Sequence, residues 1–239
     1  PPLCYNMKMK QSRLDQLADG IFAIVMTLLV FEIRVPDFMS IVSEQTFVNS
    51  IIALYPLFLS YLLSFSLLFT YWRSHHIIAS VLAKNIDIPF SNINGAFLFL
   101  VALVPFSSDF LGKYLYSKTA VIFFALNIIF IGLLLYTMRQ YAIKSKTIEN
   151  APFTKRENEH ANMHILFPIF SAILSILVSF YSTNTAILIF TISIIFNLSK
   201  NGTRYMFYFI DKFRKVEEEV QKEIKKEEKK DEKEKENII

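Results

Sequence analysis

Six apolar blocks, each close to the length that crosses a bilayer, alternate with short polar connections along this chain: Leu14–Val35, Phe47–Tyr71, Ser91–Leu111, Thr119–Thr137, Asn162–Tyr181 and Thr185–Leu198. A hydrocarbon core about 30 Å thick takes about 20 helical residues to cross. None of the blocks has the strict alternation of a half-buried strand. The pattern predicts an all-α membrane protein with six transmembrane helices per chain, the sixth of them short. Thr46, after Ser43-Glu44-Gln45, is the expected N-cap of the second span. Pro56 predicts a kink inside that span, Pro105 falls near the outer end of the third, and Pro168 lies within the fifth. Tyr141–His160 is the expected longest connection, and Ser182–Asn184 the tight turn into the last span. The chain divides into a tail over 1–12, a membrane domain over 13–200 and a juxtamembrane and charged segment over 201–239.

Composition agrees: 53% of the residues are hydrophobic and only five are glycine. The pI near 9.0 has its origin in topology rather than in a basic binding face. Lys8, Lys10, Arg13, Arg73, Lys84, Arg139, Lys144, Lys146, Lys155, Arg156, Lys200 and Arg204 collect on one side of the spans, against Arg34, Lys113 and Lys118 on the other. The positive-inside rule then places both termini in the cytoplasm and excludes a nucleic-acid partner from the reading. The first block lacks a small-residue cleavage site and is read as a retained span. Cys4, the single cysteine, supports neither an internal disulfide nor a thiolate metal site. Tyr71-Trp72 and Tyr205–Phe209 are expected at the interface, and the Lys/Glu tail, with only Val216, Val220 and Ile224 in an apolar line, is expected to be a solvated helix whose cytoplasmic partner is unknown.

The first block opens with ionisable residues, Arg13 and Asp19. Charge near the hydrocarbon must face protein or water, since lipid offers it no partner. With Ile24 set at 0° and about 100° per residue, Gly20, Thr27, Leu28 and Phe31 all fall within roughly 60° of it, whereas Asp19 falls near −140°. One stripe can thus line an axis while Asp19 turns back toward neighbouring helices. Glu32 sits at the stripe's edge, at the outer end of the span.

Arg13, Asp19, Gly20, Phe22, Ala23, Ile24, Thr27, Leu28, Leu29 and Glu32 together resemble the first helix of the transmembrane protein 175 family, the organellar and prokaryotic potassium channels. Leu17 and Ala18 depart from its Phe-Ser-Asp signature, which removes one hydroxyl from the family's inter-helix network. Tyr71–His76 and Ser91–Phe106 also resemble family segments. The resemblance implies a homotetramer with the first helix of each chain lining a central pore. Ile24 would form the narrowest ring, Thr27 a hydroxyl layer, and Leu28 and Phe31 wider apolar rings, with Phe31 bulkier than the aliphatic residue expected there. Such a ring gates by dewetting and favours potassium, which sheds its water more readily than sodium. Glu32 would be a negative ring at the mouth or an interfacial carboxylate reaching water. Arg13, Asp19, Trp72, His75 or His76, and Asn92 or Asn94 are expected to meet as a polar cluster bracing the pore helix.

No carbonyl-filter sequence, regular arginine ladder, phosphate loop or HExxH pair occurs, so the reading is a passive channel, not an enzyme, with no metal and no cofactor beyond permeant potassium, in the cell membrane. The alternatives are a secondary transporter of a cation or small solute, which would show internal repeats and helices broken at mid-membrane, and a membrane scaffold presenting its charged tail.

Overall fold

The computed structural model describes residues 11–36, 43–83, 85–149 and 155–199, with the single positions Tyr208, Lys212 and Val220. Cys4, Lys84, nearly all of the Lys/Glu tail and most of the Tyr205–Phe209 cluster lie outside the described residues. The elements are α1 (Gln11–Leu28) with a 3-10 turn at Leu29–Glu32, α2 (Glu44–Ile52), α3 (Tyr55–His76) continued by a π-helical turn at Ile77–Leu82, α4 (Ile88–Ala102), α5 (Val104–Lys113), α6 (Lys118–Lys144), α7 (Lys155–Ser179) and α8 (Thr183–Leu198). Among the described residues, five helical runs are long and apolar enough to cross a membrane, at Gln11–Glu32, Glu44–Ser80, Ile88–Lys113, Lys118–Lys144 and Ala161–Ser179. Thr183–Leu198 is a shorter apolar helix, as its 16 residues require. The chain is an all-helical, multi-pass membrane protein.

Proline sets the largest departures from the expected spans. Pro56 does not kink a continuous second helix; the chain turns at Ala53–Leu54 and Pro56 takes the first turn of α3. Pro105 does the same for α5 after the turn at Leu103. The first turn is where a missing N–H costs no hydrogen bond and where the fixed φ already suits a helix. Among the described prolines, Pro168 alone stays inside a helix. The N-cap of α2 is Ser43, not Thr46: its side chain accepts the Thr46 N–H at 3.2 Å. The long connection expected over Tyr141–His160 is helix at both ends, because α6 runs on to Lys144 and α7 begins at Lys155.

The core forms around α6, whose Val121, Phe124, Ile128, Ile131, Leu135 and Met138 are all buried. Tyr71 belongs to this core. Instead of the interfacial position expected for it, its ring is fully buried and its hydroxyl donates to the Ile128 carbonyl at 3.0 Å. Trp72, one residue on, is only partly buried, because adjacent residues on a helix diverge by about 100°.

Close helix approach depends on two glycines. A Cβ on Gly112 would lie 2.6 Å from Ser60 Oγ, 2.7 Å from Leu57 Cδ2 and 3.2 Å from Leu57 Cα, so α5 meets the backbone of α3 there. Gly132 is tight against Ile169 and Tyr71. Gly112→Ala is expected to destabilise by about 1–3 kcal/mol through overpacking. Gly95→Ala, whose added methyl meets nothing within 4 Å, should be neutral or stabilising. Thermal melts of the two purified variants, set against wild type, check the contrast.

The connections after α3 and α6 are tied together by one carboxylate. Asp87 caps α4 by accepting the Phe90 N–H at 3.0 Å, and it also accepts from Tyr141 Oη at 2.7 Å and Thr147 Oγ1 at 2.5 Å. Asn85 adds two bonds, from its Nδ2 to the Thr147 carbonyl and from the Glu149 N–H to its Oδ1, both 2.7 Å. Burial works to raise the Asp87 pKa, but the donors from Thr147, Tyr141 and the Phe90 backbone outweigh it, and the net direction is down from 3.8. A carboxyl depressed in the folded state adds stability that is complete above its unfolded pKa and is lost as pH falls through the folded one. Asp87→Ala is therefore expected to cost about 1 kcal/mol at neutral pH. The gap between variant and wild type should close on acidification, which melts recorded from neutral to strongly acidic pH would measure.

Candidate functional site

α1 presents two unlike faces. Leu14, Ala18, Phe22, Val25 and Leu29, at helical spacing, pack into the core, with Ala18 fully buried and Phe22 and Leu29 each 1% exposed. On the other face Ile24 is 59% exposed, Phe31 69% and Leu28 43%, with Thr27 exposed beside them. A Cβ on Gly20 would meet nothing within 4 Å. The residues of the expected axial stripe therefore share one outward face of a single chain, and that face has no partner among the described residues. Thr27 Oγ1 turns its proton inward, to the carbonyls of Ala23 at 2.9 Å and Ile24 at 2.8 Å. Its lone pairs are left for an acceptor role on the outward side.

At the outer end, Glu32 lies in the 3-10 turn beside Asp109 of α5, within electrostatic reach of Lys113 and Arg34. Asp109 pairs with Lys113 at 2.7 Å. Glu32 therefore belongs to a locally balanced group of acids and bases, not to an isolated negative patch.

At the other end of α1 a polar network joins it to α3 and α4. Asp19 Oδ1 accepts the indole N–H of Trp72 at 2.8 Å. His75, 2% exposed, places Nε2 at 2.6 Å from Asn94 Oδ1 and stacks on Phe97 with ring centres 5.2 Å apart, while Phe22 of α1 tilts against both rings. His76 stacks on Trp72 at 6.0 Å. Ser80 donates to Asp15 Oδ2 at 2.8 Å, so the 3.2 Å contact of Ser80 Oγ with His76 Nδ1 takes its proton from the ring. Gln11 Nε2 donates to the Ala79 carbonyl in the π-helical turn.

The expected cluster is thus assembled in large part. Asp19, Trp72, His75, His76 and Asn94 are in it. Arg13 and Asn92 are not: both are exposed, and neither forms a hydrogen bond or ion pair among the described residues. Asn92 falls off the face because it lies two positions from Asn94, about 200° around the helix. Gln11, Asp15 and Ser80 were not foreseen. Their signal was present in part, as Gln11, Asp15 and Asp19 fall at i, i+4 and i+8 on one line of α1, but Ser80 is placed by the π turn, whose register an α-helical projection does not reproduce.

Residues 13–105 match the family described as Endosomal/lysosomal potassium channel TMEM175. A curated protein named a potassium channel from Chamaesiphon minutus is 40% identical over 126 residues, which are 49% of this chain and 61% of that protein. The chain therefore matches about three fifths of that relative's length. Another protein named a potassium channel, from a Chryseobacterium species, is 28% identical over 180 residues, 75% of this chain and 88% of its own. The crystal structure of a lysosomal potassium-selective channel TMEM175 homolog from Chamaesiphon minutus superposes with a TM-score of 0.68 at 28% identity, covering 78% of this chain and 95% of that one.

Proposed function

We propose that this chain, whose residues 13–105 match the TMEM175 family description, is the subunit of a passive, potassium-favouring cation channel. The observation that carries the reading is the outward face of α1. A helix whose one side is locked into the bundle presents Ile24, Leu28 and Phe31 to the outside, with the Thr27 hydroxyl oxygen among them. One chain cannot enclose an axis with a single helix, so the face requires symmetry-related copies, each donating α1. A homotetramer in the cell membrane, with both termini cytoplasmic, meets that requirement and the distribution of basic residues.

In such a ring the Ile24 side chains form the dry constriction. Water leaves a narrow apolar throat, and a cation that enters must give up part of its shell. Potassium gives it up more readily than sodium. The Thr27 oxygens one turn along, their protons already committed to the backbone, replace part of what is lost. The Asp19–Trp72 bond, with Phe22 tilted against His75 and Phe97, fixes the rotation of α1, and so determines which residues face the axis. The acidic residues at the two ends act through position rather than chemistry.

One observation favours a second reading, a secondary transporter of a cation or small solute: the chain breaks at Pro56 and Pro105, and broken helices are a transporter feature. Each break is a tight turn that leads at once into a new helix, with no stretch of unwound backbone to bind an ion. Flux from liposomes holding the purified protein separates the two. A channel passes potassium, and caesium, down its gradient without saturation or a coupled counter-ion, and Thr27→Ala lowers the preference over sodium by several-fold. Saturable flux that depends on a second gradient would establish the transporter.

A further inference from the structure

Where α3, α6, α7 and α8 meet, away from the α1 face, the chain holds a small cavity of about 10 Å³. That is about the least space that accommodates one water molecule. Four polar side chains line it, and their hydrogen-bonding needs are complementary. Thr70 Oγ1 donates to the Ser66 carbonyl at 3.0 Å, and Ser171 Oγ to the Pro168 carbonyl at 2.9 Å, so both oxygens keep lone pairs and have no proton left to give. Asn197 meets His164 Nδ1 through its Oδ1 at 3.1 Å, but its Nδ2 is buried without an acceptor. Ser193, one turn earlier on α8, is 6% exposed, and its hydroxyl forms no hydrogen bond among the described residues.

We propose that the cavity binds one structural water, which accepts from Asn197 Nδ2 and Ser193 Oγ and donates to Thr70 Oγ1 and Ser171 Oγ. Two donors lacking acceptors and two acceptors lacking donors are the complement of a single water. Surroundings this apolar make the arrangement consequential, because an unpartnered donor there bears its full desolvation cost. The position adds to it: Pro168 also lines the cavity and withholds one N–H from the ladder of α7, so the water ties α8 to α3 beside the weakest turn of α7. A bare cation is disfavoured because half of the ring presents hydrogens.

Two measurements on the full-length protein test this. A high-resolution map is expected to show one peak within hydrogen-bond distance of all four side chains; no peak, or one with the short distances and coordination of a cation, overturns the proposal. Ser193→Ala removes one donor without filling space. If the water is bound, Tm falls, by about 2–4 °C for one hydrogen bond in a chain of this size. If the cavity is dry, loss of an unsatisfied hydroxyl leaves Tm unchanged or raises it. Thr70→Val combined with Ser193→Ala should lower Tm by less than the two separate losses summed, since both act through one shared molecule, whereas strict additivity would count against the water.

Discussion

Replacing Ile24 with Asn should raise potassium flux through reconstituted protein by about tenfold or more, since each 1.4 kcal/mol removed from a barrier is a factor of ten in rate. If copies of α1 surround an axis, the most demanding step is taking a cation past a ring of isoleucines that holds no water, and an amide in each side chain both wets the ring and offers an oxygen. Ile24→Ala widens the ring without wetting it as strongly and should give a smaller rise. The necessary control is Val30→Asn, because Val30 is 49% exposed on the same segment but lies in the 3-10 turn, about 80° from Ile24 on the opposite side from Leu28. Were the outward face of α1 simply covered by lipid, both asparagines would lower the yield of folded protein and neither would raise flux. An increase confined to Ile24 is the result that only an axial position explains.

That prediction was legible in the sequence because it rests on helical periodicity, and the two faces of α1 follow the 100° rule from Leu14 to Leu29. The polar brace was also legible, since intramembrane charge demands a partner: Asp19 found Trp72, and buried His75 found Asn94. What escaped was whatever depends on backbone register or on tertiary context. Pro56 and Pro105 read as positions inside continuous spans, whereas each takes the first turn of a new helix. The π turn after His76 moves Ser80 onto Asp15, which no α-helical projection of the segment shows. Tyr71 looked like an interfacial aromatic because Trp72 and Arg73 follow it, yet the helix turns it inward to Ile128. Arg13, the most conspicuous charge of the opening motif, remains outside the brace among the described residues. A sequence shows that a charge needs a partner but not whether that partner comes from the same chain.

Arg139 shows the same limit from the other side, and its substitution carries the second large expectation. By sequence it is one of the basic residues that mark the cytoplasmic side, a charge free to reach water. In the fold it is 1% exposed between α6 and α7. Its Nε donates to Asn162 Oδ1 at 3.0 Å and its Nη2 to Asn158 Oδ1 at 2.8 Å, while Nη1 is buried without a partner and no carboxylate pairs with it among the described residues. Hydrogen bonds from a charged donor contribute about 1.5–3 kcal/mol each. Arg139→Ala deletes two of them, leaves two asparagine oxygens unpaired and opens a void between two helices, so a loss of roughly 3–5 kcal/mol is expected. Arg139→Met should lose much less, because it keeps most of the stem's volume and removes the cost of burying an unpaired charge. Melting curves of the two variants in the same detergent give the comparison, and an alanine variant as stable as wild type would show that the guanidinium holds nothing together. Neither change touches α1. If the proposed channel reading holds, the surviving folded protein should keep whatever preference for potassium over sodium the wild type has while its amount falls, which separates the residues that hold the bundle from the ones proposed to face the ion.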